Sequence, residues 1–135
     1  MESLSFIVID DDPVSNLICK LTLEMVLGKV EVKTFTNPEE GLRYIELEYS
    51  GKGEKTAALL LDINMPVMTG WEFLERFDNL NKNIKNSIVV YILSSSVDPR
   101  DKDRSYSNKN VKNYIVKPLT PGVIESLTEK TKGWK

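Results

Sequence analysis

Acidic, hydroxyl and basic side chains gather at the ends of apolar runs in this 135-residue chain. Asp10-Asp11-Asp12 follows the run Phe6–Ile9, and Asp62 follows Ala57–Leu61 within Leu61-Asp62-Ile63-Asn64-Met65-Pro66, ahead of Gly70. Ser94-Ser95-Ser96 follows Ile88–Leu93, and Lys117-Pro118 follows Val111–Val116. Carboxylates brought close together repel unless a cation sits among them or one of them keeps its proton. Oxygen donors with open positions suit magnesium, with manganese as an alternative, and such an ion shares its shell readily with phosphate oxygens. A divalent ion and Lys117 could neutralise the oxygens of a phosphoryl group, a serine hydroxyl could donate to it, and an aspartate could act as nucleophile.

Each piece also has an ordinary role. Asp12 before Pro13 reads as a helix N-cap, and Asp10 and Asp11 could serve capping and the helix dipole. Three serines are commonly a polar loop, and a lysine before proline is commonly a surface residue. The weight comes from finding all of these at the ends of four different apolar runs.

Those runs, with Val30–Phe35, read as five strands alternating with helical segments. Ala57–Leu61 and Ile88–Leu93 are almost continuously apolar, as strands covered on both faces should be. Asp12-Pro13, Asn37-Pro38, Asp98-Pro99 and Thr120-Pro121 each open a helix, Thr69 caps another, and Gly28 closes the first. Along that first helix Leu17, Ile18, Leu21 and Met25 form the expected core stripe, with Cys19 off it. The polar stretch Asn79–Asn86 reads as a loop. Strict alternation implies right-handed crossovers and an α/β, doubly wound five-stranded parallel sheet, flavodoxin-like (βα)5, with strand order 2-1-3-4-5. In that order strands one and three are neighbours, so Asp10, Asp11 and Asp62 converge at the carboxyl edge where ligands gather.

Composition narrows the rest. The chain has no histidine and one cysteine, which excludes Ser/His/Asp and Cys/His catalytic sets, His-ligated metal sites and internal disulfides. Its length suits a single domain, 1–135, able to bury its own core. No apolar run approaches the ~20 residues of a membrane span and no signal pattern opens the chain, so a cytoplasmic protein is expected. A formal net charge of −2 provides no long-range attraction to nucleic acid or an anionic membrane.

Val8-Ile9-Asp10-Asp11-Asp12, Leu61-Asp62-Ile63-Asn64-Met65-Pro66 with Gly70, Ser94-Ser95 and Lys117-Pro118 together resemble a response-regulator receiver domain across the whole chain. The resemblance implies that Asp62 is the phospho-acceptor. It implies that Asp11 and Asp62 ligate magnesium directly, Asp10 through water, and Asn64 through its backbone carbonyl. Lys117 would pair with phosphoryl oxygens, with a cis peptide to Pro118. Ser94 would move toward the phosphoryl group and Tyr114 would follow inward; a one-residue shift would give Ser95 the first role, and Tyr106 competes for the second. Asn64 and Ser96 occupy positions that tune acyl-phosphate lifetime in the family.

The implied function is that of a two-component signalling switch and not an enzyme acting on separate substrates. It takes a phosphoryl group from the phosphohistidine of a sensor histidine kinase or histidine phosphotransfer protein, hydrolyses it, and changes an interaction face for a downstream protein. The fourth predicted helix, Pro99 to about Asn108, has almost no apolar stripe and should be weakly held, as a moving surface needs. Trp71 and Phe73 read as packing residues of the third helix, Cys19 as no redox site, and Trp134 as a tail residue with no assigned ligand. Three other readings compete. A flavin-binding protein would need a glycine- and hydroxyl-rich loop where three aspartates stand. A haloacid-dehalogenase-type phosphatase would need an acid where Asn64 stands. A receiver-fold module acting without phosphorylation would not need the intact Asp, Ser and Lys set. With no output domain after the fifth helix, either a stand-alone regulator or a receiver cut from a larger regulator or hybrid kinase is expected.

Overall fold

The structure, a computed structural model, describes residues 4–51 and 55–132. In chain order the elements are β1 (Leu4–Ile9), α1 (Pro13–Leu27), β2 (Glu31–Phe35), α2 (Pro38–Glu48), β3 (Thr56–Leu61) and α3 (Gly70–Asp78). There follow α4 (Lys82–Ser87), β4 (Ile88–Ser94), α5 (Pro99–Tyr106), β5 (Val111–Val116) and α6 (Pro121–Lys132). The strands form one parallel sheet in the order β2-β1-β3-β4-β5, as the alternation predicted.

Side-chain alternation along the strands divides the core in two. Ile7, Ile9, Leu59 and Leu61 point to a layer completed by Leu42 and Ile45 of α2 and by Phe73, Leu74 and Phe77 of α3. Phe6, Val8, Ala58 and Leu60 point the other way, onto Cys19 and Leu23 of α1 and Ile124 and Leu127 of α6. The cap residues act as predicted: the side chains of Asp12, Asn37 and Asp98 accept from the backbone N–H two residues on, at 3.0, 2.9 and 2.9 Å. Thr69 and Glu72 form a reciprocal capping box. Gly28 ends α1 with φ +76°, a region that favours glycine.

Two expectations fail. The stripe assigned to the core on α1 faces outward: Leu17, Ile18 and Leu21 are 55%, 57% and 51% exposed and Met25 82%, while Asn16, Cys19 and Leu23 are buried. This helix is apolar around most of its circumference, so periodicity alone does not choose a face. The choice is made by Asn16, whose buried amide donates to the carbonyls of Asp10 and Phe35 at 2.9 and 3.2 Å and locks the rotation of the helix. Cys19 therefore lies in the core, and burial pushes its thiol up to about 12, which leaves it unreactive. Secondly, the stretch read as a loop contains α4, capped by Asn81 and anchored by buried Ile84. One apolar residue in a polar segment carries no period to detect. Trp134 lies outside the described residues.

Candidate functional site

The ladder places the acidic residues. Ile9 is in register with Phe35 on one side and Leu61 on the other, so Asp10 and Asp62 leave neighbouring strands at the same level. Their amides extend the pattern by one step: Asp10 N–H donates to Phe35 O at 3.1 Å and Asp62 N–H to Ile9 O at 3.0 Å. The result is a cluster in which carboxylate oxygens of Asp10, Asp11 and Asp62 lie within 4.8 Å of one another. Asp10 and Asp62 are buried and Asp11 is exposed.

The two buried carboxyls are tuned in opposite directions. Burial would raise Asp10, but it accepts from Lys117 Nζ at 2.5 Å and from Asp12 N–H at 2.9 Å. Together with the Ser15 hydroxyl and the charge of Lys117, these hold Asp10 below the usual carboxylate range. Asp62 is raised, first by burial and then by the charges of Asp10 and Asp11, against the opposing effects of the Asn64 N–H bond and Lys117. The Asn64 N–H reaches Asp62 Oδ1 at 3.2 Å.

Close packing of α3 fixes the turn after β3. A methyl group at Gly70 would stand 2.7 Å from Ile63 Cα and 2.8 Å from Asp62 O, so only glycine lets the helix start against that backbone. The Gly70 N–H donates to Ile63 O at 3.1 Å.

Ser94 is the last residue of β4 and is fully buried, whereas Ser95 is exposed. The Ser94 carbonyl accepts from Lys117 N–H at 2.9 Å, which joins the ends of β4 and β5. Ser94 Oγ accepts from Ser96 N–H at 3.1 Å and makes no hydrogen bond to the acidic cluster among the described residues. Tyr114 is buried, its hydroxyl donating to Ser96 O at 2.9 Å, while Tyr106 is 53% exposed and donates to Asn113. Of the two candidate tyrosines, Tyr114 is the buried one. The Lys117-Pro118 peptide is cis.

The sequence matches the response regulator receiver domain family over residues 6–129. The chain belongs to that family. The receiver is 29% identical to a two-component response regulator from Cytophaga hutchinsonii, with TM-score 0.86 over 98% of each chain. A response regulator receiver protein from Dyadobacter fermentans, 22% identical, has the same fold at TM-score 0.86, covering 96% of this chain and 98% of its own. Among curated relatives, the two-component response regulator ORR1 of Oryza sativa subsp. japonica is 28% identical over 123 residues, 90% of this chain and 52% of that protein. The receiver therefore spans about half the length of the first curated relatives it matches.

A receiver is a signalling switch that works with phosphodonor kinases and downstream targets, and receivers bind magnesium at an acidic pocket. The donor set here fits such an ion: three carboxylates converge, they offer only hard oxygen ligands, and Asp62 carries a charge that burial and its neighbours disfavour. Among the described residues, no helix is long and apolar enough to cross a membrane.

Sequence reasoning missed two residues at this site. Ser15 Oγ accepts from Lys117 Nζ at 3.0 Å, and Asn16 ties the Asp10 carbonyl to the end of β2. Both lie in the first turns of α1, and the available signal was a pair of polar residues one turn after the Asp12 cap, on the side facing the strand ends. A groove of about 230 Å³ runs between α1 and the Lys117-Pro118-Leu119 segment, past Ser15 and Ile18.

Proposed function

We propose that Asp62 is the phospho-acceptor of this receiver and that residues 1–135 act as one cytoplasmic switch domain. The observation that carries the reading is the convergence of Asp10, Asp11 and Asp62, with Lys117 reaching in from the end of β5. A carboxylate oxygen of Asp62 attacks phosphorus as the bond to the donor imidazole breaks. The electron pair returns to that nitrogen, and an acyl phosphate forms on Asp62. Lys117 transfers its hydrogen bond from Asp10 to a phosphoryl oxygen. Ser94 has its oxygen occupied as an acceptor and its proton free, so it donates to another. Asp10, Asp11, Asp62 and the Asn64 carbonyl would hold magnesium, or manganese in its place, which when bound neutralises phosphoryl charge. Water later attacks the acyl phosphate and releases inorganic phosphate, restoring the carboxylate.

Ser96 links this event to the surface. Its N–H binds Ser94, its hydroxyl donates to Asp101 of α5 at 2.6 Å, and its carbonyl accepts from Tyr114. A phosphoryl group that pulls Ser94 therefore pulls on α5 and β5, the face offered to a downstream protein. For the histidine donor, either a sensor kinase or a phosphotransfer protein, the exposed apolar side of α1 is the docking face, because its groove leads to Lys117.

Intact mass measurement after incubation with acetyl phosphate and magnesium tests the acceptor. One added phosphoryl group is expected, absent in Asp62→Asn and without the metal; equal labelling of the variant sinks the assignment. Ile18→Asp should slow transfer from a phosphohistidine donor and leave acetyl phosphate labelling unchanged, and a loss of both would remove α1 as the docking face.

A further inference from the structure

At the amino ends of β4 and β5, the opposite end of the sheet from the acidic cluster, lies a cleft of about 520 Å³. Its charged lining residues are Lys82, Lys85, Lys109 and Lys112, over a floor formed by the apolar starts of the two strands. Four lysines line this one cleft in a chain whose formal net charge is −2. One carboxylate answers them: Asp78 Oδ1 stands 3.6 Å from both Lys85 and Lys109, and it also accepts from Asn110 at 3.0 Å. Lys82 and Lys112 have no ion-pair partner among the described residues.

Two features show that the lysines are arranged and not merely present. Lys85 is fixed, its Nζ donating to the Asp78 carbonyl at 3.0 Å beside the carboxylate. Lys112 sits at a break in register: Val90 pairs with Val111 but Tyr91 pairs with Asn113, so Lys112 is the extra residue of a β-bulge. Bulges re-aim the side chain they carry. Lysines on an edge strand also discourage edge-to-edge pairing, which could account for Lys112. That role does not extend to Lys82 and Lys85, which belong to α4 and not to the sheet.

We propose that this cleft binds a small polyanion carrying two or more phosphate groups. The surplus of positive charge exceeds what a single phosphate would neutralise, and the volume falls within the roughly 300–1,000 Å³ of small-molecule sites. Four lysines grouped around one half-open cleft, and not strung along the surface, favour a compact ligand over a nucleic-acid backbone, which is tracked by an extended basic stripe. Lysine ammonium groups are compact point charges suited to phosphate, and the apolar floor leaves room for an uncharged portion of the ligand.

Amide spectra of the whole chain, recorded without divalent cations while inorganic pyrophosphate is added, test this directly. Orthophosphate at matched ionic strength is the comparison. Saturable shifts at Val89, Asn110 and Lys112 are expected, with pyrophosphate binding about tenfold more tightly than orthophosphate. The double variant Lys82→Gln/Lys112→Gln should weaken pyrophosphate binding about tenfold while leaving its melting temperature and acetyl phosphate labelling at the wild-type values. Shifts confined to the surroundings of Lys117, shifts scattered over distant lysines such as Lys20 and Lys33, or undiminished binding by the double variant would each overturn the proposal.

Discussion

At the carboxyl ends of the strands, charge rides on aspartates that begin where a buried ladder stops, so their spacing is inherited from the sheet. At the amino ends of β4 and β5, charge rides on long lysine stems around a cleft, and only Lys85 and Lys109 are steadied by a carboxylate. Both ends concentrate one sign of charge. The first does so mainly in the buried side chains of Asp10 and Asp62, the second mainly in solvated ones. A substitution at the acidic end should therefore disturb chemistry and stability together, while one at the basic end should disturb binding alone.

The largest expected effect is on chemistry. Lys117→Ala should reduce labelling by acetyl phosphate by about 10²-fold, the cost of losing one preorganised donor to developing charge, measured as an initial rate by intact mass. A rate within a few-fold of wild type would mean that the acidic end does not use Lys117. Next, Gly70→Ala should cost about 2–4 kcal/mol in denaturant unfolding and slow labelling as well, because its methyl group collides with the backbone of Asp62 and Ile63. Unchanged stability would show that the turn is softer than the acidic end requires.

A smaller effect has the opposite sign. Ionised Asp62 is disfavoured by burial and by its acidic neighbours, so Asp62→Asn in the presence of a chelator should raise the melting temperature by about 3 °C. Adding magnesium should stabilise the wild type more than this variant. The smallest expected effect is at the other end: Lys82→Gln and Lys112→Gln should each change stability by no more than about 0.5 kcal/mol, as solvated surface groups do. A larger loss in either would erase the contrast between the two ends.

How far these features could be read in the sequence depended on how local their causes are. Strand order, helix caps and the meeting of Asp10 with Asp62 follow from short patterns: an apolar run, a cap before proline, an acid immediately after a strand. The face of α1 was not legible, because it is decided by hydrogen bonds from Asn16 to carbonyls of two separate strand ends. The same holds for Ser15, which matters only once β5 brings Lys117 beside it. Helix α4 was hidden by its own polarity, and with it the two lysines it contributes to the cleft. The bond from the Tyr114 hydroxyl goes to the Ser96 carbonyl, a group that is the same in every residue and leaves no trace in sequence.

Trp71 on α3 lies under the guanidinium of Arg104 on α5, with Arg104 Cζ 4.5 Å from the ring centroid. An indole stacked against a cation differs in emission from one facing water. Any displacement of α5 large enough to withdraw Arg104 should therefore be visible as an intrinsic fluorescence change, most cleanly in a Trp134→Phe background. The receiver thus contains its own optical gauge, able to time the response of the helix to phosphorylation without an attached dye.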